Sequence, residues 1–347
     1  MKTGYRVIAL MLVFVSVFFA GCGKKEKVEQ VEDVKETDIL EIGICFDSFV
    51  IERWIKDRDV FVSTAQDAGA QVNVQNANGD VEKQKEQINY FIDKGVDCLV
   101  IVPIDGYALS DEIKKAKNAG IKVIAYDRLI CNADVDLYIS FDNEAVGVML
   151  GDSIKDSQAK SVVMICGPLT DGNVTMVIDG FEGVMKKNSI DVIDKFYVDG
   201  WKAELASSYV YENMDTIKEA DAIMCGNDDI ATAVIRALAV SRLAGVKTVV
   251  GQDADVPACQ HIIDGTQRMT VYKPVSNLAT QAAEIAVQFA KGDEVKVNTK
   301  MDDGTYKVPY IAIQPVMVDS TNLDEVIIDG GYHTYDDIYI NKKSSEE

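Results

Sequence analysis

KVIAYDR, residues 122–128, is the stretch on which the fold turns. Five strand-forming residues, Lys122 to Tyr126, stop abruptly at a charged pair, Asp127-Arg128. Strands buried on both faces read as near-continuous apolar runs, the mark of a parallel α/β sheet. In such sheets ligands bind just outside the carboxyl ends of the strands. The pair therefore marks a strand end and a candidate site together, provided that other strand ends repeat the pattern.

They do. Upstream, Ile39–Phe46, Gln71–Gln75 and Cys98–Pro103 read as strands, and Leu137–Ser140 follows downstream. Helical periods lie between them near 51–69, 80–94, 107–119 and 143–156. In the first of these, Ile51, Trp54, Ile55, Phe61, Val62, Ala65 and Ala68 recur close to every 3.6 residues, one apolar face of a helix. The alternation then starts again. Strands Ser161–Cys166, Asp191–Val198, Asp221–Cys225 and Thr248–Gly251 alternate with helices near 174–188, 202–219, 228–243 and 255–264. Thr270–Lys273, a helix from Val275 to Ala290 and a last strand, Val308–Gln314, complete the series. Strand–helix alternation implies parallel sheets with right-handed crossovers, and this many strands fit two similar lobes better than one sheet. No Pro- or Gly-Ser-rich linker divides them, so short crossing strands would form the hinge. From Tyr332 to Glu347 the chain reads as a polar, frayed tail.

The opening residues have a different character. Lys2 and Arg6 precede an apolar run from Val7 to Ala20, and FAGC ends at Cys22. This is the layout of an export signal, too short for a comfortable transmembrane helix. The small residues before Cys22 resemble a bacterial lipobox, which implies cleavage before Cys22 and lipid on its sulfur. Residues 22–38 are charged, lack aromatic residues and read as a flexible tether. The chain carries 35 Lys+Arg against 56 Asp+Glu, a net charge of −21. Residues 1–21 include two basic residues and no acid, so the mature charge is −23. Such a surface repels phosphate backbones and argues against nucleic acid as a partner. The six other cysteines, Cys45, Cys98, Cys131, Cys166, Cys225 and Cys259, form no CxxC, and the two histidines, His261 and His333, have no metal-type spacing. No metal, no cofactor and no histidine-based catalysis is expected.

The residues just past each strand form a consistent set. They are Asp47 with Arg53-Trp54, then Asn76-Ala77-Asn78-Gly79, Asp105 and Asp127-Arg128. In the second series they are Asp171-Gly172-Asn173, Asp199-Gly200-Trp201, Asn227-Asp228 and Gln252-Asp253. Carboxylates, amides and the planar Arg fork suit adjacent hydroxyls that each donate and accept, and an indole covers the C–H face of a sugar ring. Phosphate would call for a glycine-rich cradle, and there is no GxGxxG or Walker-type run. A neutral polyol fits best. Plainer roles stand beside each residue. Trp54 lies on an apolar stripe and suits a core as well as a stacking platform. Asp127-Arg128 could be a structural ion pair, and Asn227-Asp228 a helix cap.

Longer motifs narrow this reading. ERW-x-KDRD (52–59), QNANG (75–79), AYDR (125–128), ISFDN (139–143), VDGW (198–201), GQDAD (251–255) and GTQ-x-MTVYKP (265–274) closely resemble the D-xylose-binding proteins of bacterial ABC importers. The resemblance spans residues 39–330. It implies an α/β fold of two Rossmann-like lobes with parallel sheets joined by a three-segment hinge, the periplasmic binding protein type I fold. By likeness the crossings fall near Phe141-Asp142, Tyr272-Lys273 and Gln314-Pro315. The lobes would be 39–141 with 274–314 and 142–273 with 315–332, followed by a polar tail, 333–347. The resemblance carries Arg53, Trp54, Asp127, Arg128, Trp201, Asn227, Asp253 and Lys273 over as sugar ligands. Asn173 joins them from a loop, GPLTDGN, one residue longer than is usual. An Arg often precedes the ERW helix in the family, where this chain has Phe49-Val50.

The expected protein is a monomeric, extracytoplasmic lipoprotein tethered to the cell membrane through Cys22. It would capture xylose or a close relative such as glucose and deliver it to an ABC permease. A sugar-sensing subunit for a membrane kinase or chemoreceptor is the alternative. No nucleophile–base pair points to an enzyme.

Overall fold

The computed structural model describes residues 39–51 and 53–340. The signal, Cys22, the tether and residues 341–347 lie outside the described residues. No helix among the described residues is long and apolar enough to cross a membrane.

Two α/β lobes are built on two sheets. The first series gives β1 Leu40–Phe46, β2 Ala70–Asn76, β3 Cys98–Ile101, β4 Lys122–Tyr126 and β5 Leu137–Phe141. With β11 Lys300–Asp302 and β12 Lys307–Ile313 they form a seven-stranded sheet ordered β11-β12-β5-β4-β3-β1-β2. The second sheet has six strands, β6 Ser161–Cys166, β7 Asp191–Tyr197, β8 Ala222–Cys225, β9 Thr248–Gln252, β10 Met269–Tyr272 and β13 Val316–Asp319. Its order is β13-β10-β9-β8-β6-β7. The chain passes between the sheets three times, after Phe141, after Tyr272 and after Ile313. β3, β4, β5 and β8 are buried almost throughout, as sheets covered by helices on both faces require.

Both sheets are parallel except at one edge. There β11 runs antiparallel to β12, and β13 antiparallel to β10. Both are very short, KMD and VMVD, and a short edge strand offers little for further pairing. The expected helix over 202–219 is two, α6 Ala203–Glu212 and α7 Met214–Glu219. Asn213 breaks it: its Nδ2 and its backbone N both donate to the Tyr209 carbonyl, at 2.9 Å each, closing the first helix.

One helix pair fixes the second lobe's approach to the site. α4 Asn143–Asp156 and α5 Gly172–Asn188 cross where glycine faces backbone. A Cβ on Gly147 would sit 2.0 Å from the Val177 carbonyl oxygen, and one on Gly180 2.2 Å from that of Glu144. Only glycine permits this approach, and it seats the N-terminus of α5 against the first lobe.

The expected frayed tail is corrected for residues 332–340. Leu323, Ile327, Tyr332 and Ile338 are buried in a core shared with the helices of both lobes. α11, Tyr335–Ile338, carries a capping box between Thr334 and Asp337. Polar composition concealed the few residues that dock the segment, Tyr332 and Ile338, with Tyr339 packed against the same core.

Candidate functional site

All nine residues expected at the site line one cavity between the lobes: Arg53, Trp54, Asp127, Arg128, Asn173, Trp201, Asn227, Asp253 and Lys273. Its volume is about 520 Å³, counting the space at its mouth.

α1, Arg53–Asp67, opens with the first two of these residues. Arg53 Nη2 donates to Asp127 Oδ2 at 2.5 Å, its Nε donates to Asp57 Oδ2 at 3.3 Å, and its Nη1 lies 4.0 Å from Asp253 Oδ1. Its guanidinium stacks 4.3 Å from the Trp54 ring centroid, a cation–π contact. Trp54 is 2% exposed and meets Phe46 edge-on while lining the cavity, so it serves core and wall together.

Asp127 turns the chain at the end of β4 with φ 65°, a left-handed conformation uncommon outside glycine. Its backbone N donates to the Ile139 carbonyl at 2.8 Å, while its own carbonyl accepts from Tyr138 Oη, Ser140 Oγ and Asn173 Nδ2. These bonds hold the turn in place. Arg128 Nη1 donates to Asp47 Oδ2 at 2.6 Å, and its Nε pairs with Asp171 Oδ2 of the second lobe at 2.7 Å. Asp171 also caps α5, accepting from the Asn173 amide at 3.0 Å.

The second lobe's side is less occupied. Asn227 caps α8, Asp228–Val240, its Oδ1 accepting from the Ile230 amide at 3.0 Å. Its Nδ2 is buried with no partner, as are Gln252 Oε1 and Trp201 Nε1. Capping and ligand recognition are thus compatible in one side chain. Trp201, half-buried with φ 59°, lies flat on Gly167, where a Cβ would come within 2.3 Å of its Cη2. Lys273 Nζ is 3.0 Å from Asp253 Oδ1 but is not aligned for a hydrogen bond, so the pair is ionic and that oxygen keeps unused acceptor capacity.

The electrostatics follow from burial. Burial would push the Asp127 carboxyl up, but Arg53, Lys273 and Arg128 together hold it below the usual carboxylate range. Burial pushes Asp57 up to about 6 against the pull of Arg53, and raises Asp171 against that of Arg128. Burial alone would lower Arg128; Asp47, Asp171 and Asp127 reverse it. Arg53, Arg128 and Lys273 face Asp47, Asp57, Asp127, Asp171 and Asp253, so carboxylates outnumber cations in the buried set. That balance repels an anionic ligand and suits a neutral one.

Asp47, Asp171 and Gln252 belong to the strand-end pattern; beyond the local cap that Asp171 makes on α5, each works through a partner distant in sequence. Asp57 is harder to find. It sits in the charged run KDRD and reads as helix surface, but it is fully buried and also accepts from Tyr126 Oη.

Comparison with known proteins bears on this geometry. The family model described as a periplasmic binding protein domain matches residues 42–294. The D-xylose-binding periplasmic protein of Haemophilus influenzae is 41% identical over 315 residues, covering 86% of this chain and 92% of that protein. Its counterpart from Escherichia coli is also 41% identical, over 301 residues, with 85% and 91% covered. Among solved structures, an ABC transporter solute-binding protein from Clostridium phytofermentans with bound β-D-glucose superposes with a TM-score of 0.80 at 33% identity. That match covers 86% of this chain and 99% of the other.

Proposed function

We propose, of a chain that belongs to the periplasmic binding protein family, that it captures D-xylose or a closely related aldose between its lobes and hands it to an ABC permease. The observation that carries the reading is the interlobe cavity itself. Two indoles flank it, its charges cancel toward a slight acidic excess, and buried donors and acceptors on the second lobe have no protein partner. Unpaired buried polar groups are costly unless a ligand satisfies them. Sugar hydroxyls, each donor and acceptor, can satisfy Asn227 Nδ2 and Gln252 Oε1 alike.

The working parts are two bodies, 39–141 with 274–314 and 142–273 with 315–332. Arg53, Trp54, Asp127 and Arg128 bind from the first; Asn173, Trp201, Asn227, Asp253 and Lys273 bind from the second and its crossing. Direct bonds already join the bodies, Arg128 to Asp171 and Asn173 to Asp127. A sugar contacting both walls shifts the population further toward the closed form. The closed surface is what the permease reads. Glucose is the second aldose in view, because a similar solute-binding protein holds it.

Calorimetry of the mature chain against xylose, glucose, ribose, arabinose and galactose tests the reading, with saturable binding of xylose or glucose expected. Failure of all five to bind overturns it. Lipid on Cys22 holds the protein at the membrane, with residues 22–38 as spacer. Cys22→Ser should therefore release it to the soluble fraction with sugar affinity unchanged; retention in the membrane fraction would remove the anchor.

A further inference from the structure

The loop that presents Asp253 is strained. Asp253 and Ala254 have φ of 103° and 56°, two consecutive non-glycine residues in a region L side chains rarely adopt. Such a backbone persists only where its surroundings over-determine it. Its N–H groups are held from within the second lobe. Asp253 N donates to the Val271 carbonyl at 2.9 Å, Ala254 N to Thr270 Oγ1 at 3.1 Å and Asp255 N to Asp228 Oδ2 at 3.2 Å.

Its carbonyls are held by a segment from the far end of the chain. His333 Nε2 lies 2.7 Å from the Ala254 carbonyl oxygen and Tyr332 Oη 3.5 Å from that of Asp253. A carbonyl only accepts, so Nε2 of His333 carries the proton. The same segment reaches the first lobe. Lys56 Nζ on α1 donates to the Tyr332 carbonyl at 3.1 Å and sits 4.2 Å from its ring centroid, two residues beyond Trp54. The strap has its own anchors, buried Leu323, Ile327 and Ile338 and the bond from Gln260 Nε2 to the Asp337 carbonyl at 2.7 Å. Loss of one loop contact therefore need not detach it.

We infer that His333, with Tyr332, is a positioning residue for Asp253: the C-terminal strap ties the helix bearing Arg53 and Trp54 to the loop that aims the second lobe's carboxylate. The inference rests on the cavity being the sugar site. It is tested on the whole protein with His333→Leu, which removes the donor, and His333→Gln, whose side-chain N–H reaches to the same place.

Hydrogen exchange of the 252–256 segment is measured without sugar, and affinity by calorimetry with xylose and glucose. His333→Leu should speed exchange of the segment and weaken affinity, each by about tenfold, the effect of one lost hydrogen bond to a constrained group. His333→Gln should stay within about threefold of wild type on both, since the bond is retained. Unchanged exchange in His333→Leu overturns the inference, as does a Gln variant behaving like Leu, or faster exchange with intact affinity. If wild type binds no sugar, the sugar reading falls while exchange still decides whether His333 holds the loop.

Discussion

In the cavity wall built by the first lobe, the charged side chains are committed to other protein groups; in the wall built by the second, several polar atoms are not. Arg53 is shared between Asp57 and Asp127, and Arg128 between Asp47 and Asp171. Opposite them, Asn227 Nδ2, Gln252 Oε1 and Trp201 Nε1 are buried without partners. A buried ion network is weak as a source of stability, but it fixes geometry, because every member must be in place for any to be satisfied. The first wall is thus a template held by the protein's own bonds, one of which, Arg128 to Asp171, reaches across to the second lobe. The second carries most of the atoms whose desolvation a ligand can offset, Trp54 Nε1 being the one such atom among the first wall's Arg53, Trp54, Asp127 and Arg128. If so, mutations in the first wall should show up in folding, and mutations in the second in affinity.

The largest effect is expected from Asp127→Ala. It removes the shortest partner of buried Arg53, leaving it only Asp57 at 3.3 Å and Asp253 at 4.0 Å, and takes away one of three carboxylates that neutralise Arg128. Breaking one partner of a buried pair costs ~3–5 kcal/mol. Urea unfolding should register that loss without any sugar present. A variant of normal stability would mean that the first wall is not a template at all.

Asp57 offers a pH test of the same wall. Its carboxyl is fully buried and raised from the ordinary 3.8 to about 6. The folded protein therefore holds this proton more tightly than the unfolded chain. The stability it contributes is complete below pH ~4 and is lost as pH rises through about 6, on the order of 2–3 kcal/mol. Asp57→Asn, fixed neutral, should lack that loss. The stability difference between wild type and variant should then move in the variant's favour from pH 4 to 7. A difference independent of pH would show Asp57 to be an ordinary carboxylate.

Trp201→Ala moves the test to the second wall. An indole lying on Gly167 and facing a ring should contribute ~1–3 kcal/mol to sugar binding. Calorimetry reads that directly. Unchanged affinity with a lowered melting temperature would instead make Trp201 a packing residue and erase the contrast between the walls.

What the sequence disclosed divides along a similar line. KVIAYDR showed its strand and its candidate site because both are local: an apolar run and the charge that ends it. The nine expected residues stand at strand ends or, like Arg53, Trp54 and Asn173, in the first turn of the helix that follows, and a parallel sheet brings all such ends to one edge. The pairing of Arg128 with Asp171, or of Arg53 with Asp127, was not legible, because a partner's identity depends on tertiary approach. The left-handed turns at Asp127 and Asp253 carry no glycine to announce them, whereas the one at Trp201 follows Gly200. The strap at 332–340 was hidden by composition: Tyr332 and Ile338, with Tyr339 packed beside them, suffice there only because a core shared by both lobes receives them.

The finest test of the contrast separates two roles within one side chain. Asn227 uses Oδ1 to cap α8 and leaves Nδ2 toward the cavity. Serine caps a helix about as well as asparagine, but has no second donor at that reach. Asn227→Ser should therefore keep the melting temperature of the sugar-free protein near that of wild type and weaken sugar binding by ~1 kcal/mol, about the net contribution of one hydrogen bond. Asn227→Ala should lose both cap and donor, adding ~1 kcal/mol of destabilisation to the same loss of affinity. Equal affinity in wild type and Asn227→Ser would assign the residue to the helix alone. The second wall would then hold one fewer open donor, and its free amide would need another occupant.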